Sequence, residues 1–202
     1  MKILCNLSMA LALSVATTHV QAADFSDPTW PCIQRKVERL SLGLMWPEPK
    51  QNISLSDPQQ GAVEELASAL SLQRVDMENA RQMISDFAQT HGTERDLMQA
   101  VFSEVFDTIS KRRTRIISGI GNVSTGQIAL AERIDEARSE MERLMDMPEP
   151  DYDTVDALEE QVDWDDRIYR ERQQSVTYLC ESPVLLEKRL FALASLLQNA
   201  AL

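Results

Sequence analysis

Few residues in this chain could do chemistry, and the cysteines come first. Cys5, Cys32 and Cys180 are the three present. Cys5 lies in an N-terminal segment with the plan of a secretory signal: Lys2 as a short positive region, an apolar run from about Ile3 to Ala16, and Val20-Gln21-Ala22 as a small-residue cleavage site. The expected signal peptide is 1–22, and Cys5 leaves with it. Cys32 and Cys180 then have only each other within one chain. Neither belongs to a C-x-x-C pair and the exported part holds one histidine, His91, so a structural disulfide is expected rather than a redox thiol.

Catalytic combinations are sparse. There is no nucleophile elbow, no glycine-rich phosphate loop and no histidine pair. His91 stands before Gly92, where a helix ends, and reads as a capping or surface residue. No enzyme activity and no cofactor are expected. Asp146 to Asp166 holds ten carboxylates, but Asp151 to Asp156 fails the EF-hand register, with valine at the third ligand position and no glycine at the sixth. Met141, Met145 and Met147 have the thioether chemistry of Cu(I) sites; the simpler reading is that Met141 fills the seam while the other two pack the turn. The acidic tract and these methionines support an alternative function as a periplasmic metal-binding or metal-buffering protein. No metal ligand set is assigned.

One basic cluster stands out, Lys111-Arg112-Arg113-Thr114-Arg115. Glu104 and Asp107 lie about a turn or two earlier and are expected to neutralise part of it by helix ion pairs. The remainder would face an acidic protein surface or anionic headgroups, so peripheral membrane contact belongs among the expectations. The whole chain carries 20 basic and 32 acidic residues. Removing Lys2 with the signal leaves 19 against 32, a net charge of −13. Such a chain as a whole repels nucleic acid and anionic membrane, so neither is expected as its main partner, and no mature segment is apolar enough to span a bilayer.

The elements that would position these residues are all helical. Aromatics make up 5% of the chain and six glycines are present, while Leu, Ala, Met, Glu, Gln and Arg dominate, and no β-branched alternating run ends in a hairpin dipeptide. Trp30-Pro31-Cys32 opens an expected short helix with Ile33, Val37, Leu40 and Leu44 on one face, ended by Trp46-Pro47-Glu48-Pro49. Lys50 to Ser56 reads as a linker. Asp57-Pro58-Gln59-Gln60 caps a second helix, and Asp76 to Thr90 forms a third.

Thr93 begins the most distinctive stretch. Phe102, Phe106, Ile109, Arg113, Ile116, Ile120, Val123, Gln127, Leu130, Ile134, Ala137, Met141 and Leu144 alternate steps of four and three, a heptad seam. Gly119, Gly121 and Gly126 fall inside it, yet its phase persists across them. One helix from about Glu94 to Asp146 is therefore expected. Met147-Pro148-Glu149-Pro150 turns the chain, Asp153 or Thr154 caps a returning arm of about 28 residues, and Ser182-Pro183 caps a separate last helix.

The expected fold is all-α, one domain over 23–202: a helical bundle with a long antiparallel coiled-coil-like hairpin at about 94–181, its terminal helices joined by the disulfide. The expected function is that of an exported periplasmic, non-enzymatic adaptor, accessory subunit or chaperone-like component of an envelope assembly. It would bind another envelope protein or itself. Phe102, Phe106 and Ile109 lie where the shorter returning arm does not obviously reach. With Lys111, Arg112, Arg113 and Arg115 they form the candidate partner-binding surface, unless helices at 58–90 cover them.

Overall fold

The computed structural model describes residues 27–48 and 55–201. The expected signal peptide and most of the linker lie outside them. Four α-helices follow in order, α1 (Asp57–Leu70), α2 (Met77–His91), α3 (Arg95–Met145) and α4 (Tyr152–Ala200), and no strand occurs among the described residues. The fold is the all-helical hairpin expected, with α3 packed along α4.

Local signals set the ends of the helices. The capping box of α1 sits one residue earlier than expected: the Gln59 side-chain oxygen accepts from the Ser56 N–H at 3.1 Å, with Pro58 in the first turn. Asp76 caps α2 by accepting from the Asn79 N–H at 2.8 Å. Gly92 ends that helix at φ 108°, a backbone conformation that glycine adopts without strain. Asp151, rather than Asp153 or Thr154, caps α4 by accepting from the Thr154 N–H.

Helix α3 runs unbroken for 51 residues, about 77 Å at 1.5 Å per residue, and passes straight through the three glycines. Its seam holds with two local corrections. Ile117 and Ser124 are buried where Ile116 and Val123 were expected to lead. Both shifts fall where a third segment of chain crosses α3. Arg113 and Gln127 occupy their expected polar seam positions, and Gln127 Nε2 donates to Tyr169 O at 2.9 Å.

The returning arm is longer than the sequence suggested. Helix α4 has 49 residues and passes through Ser182-Pro183 instead of restarting there. Proline lacks the N–H that would bond back to residue 179. Nearby carbonyls find other donors: Ser182 Oγ donates to Tyr178 O at 3.0 Å, and Gln34 Nε2 donates to Cys180 O at 2.7 Å. The Pro183 ring is buried, so packing favours the continued helix.

The expected N-terminal helix is absent. Residues 28–48 form an extended strap with one 3₁₀ turn, Leu42–Leu44. Ile33 is 80% exposed and Leu44 79%, so their helical spacing marks no buried face. The strap is held instead at separate points along α3 and α4, in antiparallel order to α3. Ser124 Oγ donates to Pro28 O at 2.7 Å, Arg113 Nη1 to Val37 O at 2.7 Å, and Arg95 pairs with Glu48 at 2.7 Å. Gln198 Nε2 on α4 donates to Met45 O at 2.9 Å. Residues 95 to 124 of a helix span about 44 Å; a helix over residues 28–48 would reach only about 30 Å, whereas an open strap, with a fully extended reach of about 66 Å, covers the distance.

Three apolar clusters follow the hairpin axis. The largest joins α1, α2, the first part of α3 and the last part of α4, with Trp46, Phe102, Leu70, Met98, Leu190 and Leu193 fully buried. Trp46 of the strap stacks on Phe102 with ring centroids 5.4 Å apart. A middle cluster joins Trp30 and Cys32 to Ile117, Ile120 and Cys180. The third, Leu130, Ile134, Ala137 and Val162, lies between α3 and α4 alone.

Candidate functional site

Cys32 and Cys180 are bonded, with their Cα atoms 5.5 Å apart. The bond ties the strap, rather than a terminal helix, to α4. Both cysteines are buried.

Phe102, Phe106 and Ile109 are not a partner surface. All three are buried in the largest cluster, because α4 runs far enough to cover them with α1. Arg113 is also removed from the surface. Its guanidinium bonds to Val37 O, and Nη2 lies 3.5 Å from Glu187 on α4. Burial pushes its pKa below the usual arginine value, and Glu187 opposes that shift.

Lys111, Arg112 and Arg115 remain exposed on α3. Arg112 Nη2 donates to Gln73 Oε1 at 3.1 Å. Lys111 and Arg115 line an open cleft of about 800 Å³ with Ser110, Thr114 and Asp107 of α3 and with Arg39 and Leu40 of the strap. The expected ion pairs from Glu104 and Asp107 do not form among the described residues, and Arg39, Lys111 and Arg115 have no carboxylate partner there. The charge at the cleft is three cations against Asp107. Sequence reasoning missed Arg39 because Ile33 to Leu44 read as a separate helix. An extended strap instead lays Arg39 beside the α3 cluster.

The acidic and thioether candidates are dispersed. No three His, Cys, Asp or Glu side chains converge as a metal site among the described residues. Asp165 is buried and accepts both Nε and Nη2 of Arg133 at 2.7 and 2.6 Å. Hydrogen bonding by Arg133 holds the Asp165 carboxyl below the usual carboxylate range. Asp166 pairs with Arg138 at 2.9 Å. Met141 packs against the third cluster, while Met145 and Met147 are exposed.

His91 packs against Phe87 with tilted rings, centroids 4.9 Å apart, and lines a groove of about 360 Å³ between α1 and α2, with Glu65, Asp86 and Thr90. No helix among the described residues is long and apolar enough to cross a membrane. No family model, curated protein or solved structure matches the chain.

Proposed function

We propose that the protein is exported to the periplasm and acts there as a non-enzymatic adaptor or accessory subunit of an envelope assembly, gripping another protein with the free end of its hairpin. The observation that carries this is the bare arm. The clusters built by α1, α2 and the strap end near Ile120 and Cys180. From about Gly126 to Met145, some 30 Å of helix, the apolar contacts are those between α3 and α4. A two-helix arm gains little burial per residue and still costs the ordering entropy of every residue in it. Stability therefore does not account for its length, whereas reach does.

The arm also presents contact chemistry. Tyr152 and Trp164 are each 60% exposed, and exposed aromatics are common anchors of protein interfaces. The disulfide accords with an oxidising compartment. The test is photocrosslinking in cells from a benzophenone side chain placed at Tyr152 or Trp164, with Arg81 on α2 as the control position. A discrete protein adduct from the arm and none from Arg81 is expected. No adduct from either arm position contradicts the proposal.

A further inference from the structure

The cleft between the strap and α3 lies well away from the arm and has a chemistry of its own. Arg39, Lys111 and Arg115 bring three cations to it from two elements, against Asp107 alone. In a chain with 32 acidic and 20 basic residues, unpaired cations facing one cleft are not explained by average composition. Asp107 lies four residues before Lys111 but makes no ion pair with it, whereas Asp166 and Arg170, at the same spacing on α4, are 3.6 Å apart.

Ser110 adds a second, independent observation. Several hydroxyls in these helices or at their ends donate to the carbonyl four residues back. Ser71, Thr90, Thr125, Ser139, Ser175 and Ser182 all do so, at 2.7–3.2 Å. Ser110 Oγ is buried and, like Ser103 Oγ in the core, makes no such bond. It lines the cleft, and so does Thr114, whose hydroxyl also has no partner among the described residues. A buried hydroxyl without a partner costs stability; a ligand that accepts from it removes that cost.

We propose that this cleft binds the phosphoryl group of a phosphate ester. Two guanidinium forks, an ammonium and two hydroxyls offer more donors than the roughly four acceptor positions of a carboxylate. A phosphoryl group has three strong acceptor oxygens and a charge near −2, which suits three cations with one carboxylate at the rim. Arginine forks match phosphate geometry in pairs of bonds. The volume of about 800 Å³ exceeds that of a phosphate ion and leaves room for the esterified group. The ester is either a small soluble monoester or the terminal phosphate of a lipid such as phosphatidic acid, since both present the same dianionic group.

The experiment uses the exported, disulfide-bonded chain and three probes: glycerol 3-phosphate, vesicles containing phosphatidic acid against vesicles of phosphatidylcholine alone, and a hexaglutamate peptide. Calorimetry and vesicle sedimentation read binding. Lys111→Gln with Arg115→Gln should abolish it, and Ser110→Ala, which changes no charge, should weaken it about fivefold. All three substitutions keep good helix formers on α3, and unchanged melting confirms an intact fold. Binding of glycerol 3-phosphate that follows this pattern supports a soluble ester. Binding of phosphatidic acid vesicles alone, with the same pattern, supports a lipid phosphate. Absence of binding to both, or binding indifferent to the double variant, overturns the proposal. Hexaglutamate bound as tightly as the phosphate probes, and lost with the same variants, overturns the phosphoryl assignment. None of these results bears on the arm, which the crosslinks test separately.

Discussion

Arg113 Nη1 donates to the carbonyl oxygen of Val37 at 2.7 Å, so a buried cation of α3 holds the middle of the extended strap. The same guanidinium faces Glu187 of α4 at 3.5 Å. One side chain thus joins the three segments that cross at this level.

Arg113→Leu should therefore destabilise the protein by about 1–2 kcal/mol, because it removes a part-buried charge-assisted hydrogen bond to Val37 O and leaves a half-buried carboxylate without its partner. Chemical denaturation measures the loss. Hydrogen exchange should place it in residues 35–41 and the facing turn of α3, with the arm unaffected. A stability equal to that of the wild type would show that the strap is held without Arg113.

Reducing the Cys32–Cys180 bond should cost more. The bond closes a chain separation of 148 residues, worth about 5 kcal/mol in the chain-entropy model. Cys180→Ser should lower the melting midpoint markedly and free the strap around Trp30 and Cys32. Intact mass before and after reduction and alkylation checks the pairing; two free thiols at Cys32 and Cys180 before reduction would contradict it.

The helical glycines predict the opposite sign. A Cβ at Gly119 or Gly126 meets nothing within 4 Å, and one at Gly121 meets Thr29 O at 3.9 Å, an ordinary contact. Gly119→Ala with Gly126→Ala should raise stability, each by about 0.5–1 kcal/mol, through lower entropy of the unfolded chain. Thermal melting reads the change, and a fall in midpoint would mean that the chain turns there.

Asp165 sets a pH dependence in the arm. Its folded pKa lies below the ordinary aspartate value because Arg133 hydrogen-bonds its ionised form. The stabilisation is then complete above the unfolded value of about 3.9 and is lost as pH falls through the lower folded value. Amide protection of residues 130–137 and 158–169 should drop on acidification into that window. Asp165→Asn should give lower protection at neutral pH and remove Asp165's share of the acid response. An unchanged pH profile would show that the pair contributes nothing.

The helices were legible because their signals are local. Asp76, Gly92 and the heptad steps from Phe102 to Leu144 act within a turn or two, and the seam phase carried the reading through the glycines. The strap was not legible. Ile33, Val37, Leu40 and Leu44 have helical spacing, but what decides their conformation is distant: the bond to Cys180, the carbonyl taken by Arg113 and the stacking of Trp46 on Phe102. Pro183 misled for the same reason. Proline is a local stop signal, and burial of its ring in the packed α4 overrode it. Two consequences for function followed. The longer α4 buried Phe102, Phe106 and Ile109, and the extended strap supplied Arg39 to the cationic cleft.

The account rests on α3 being one rigid helix that carries the arm away from the clamped head. The most direct measurement is a spin–spin distance between labels at Asp107 and Glu142, both exposed on α3, attached through noncanonical residues so that the disulfide stays intact. Thirty-five residues of continuous helix separate these positions by about 52 Å, and a narrow distribution near that value is expected. A broad distribution centred well below it would place a break between Gly119 and Gly126 and contradict the arm.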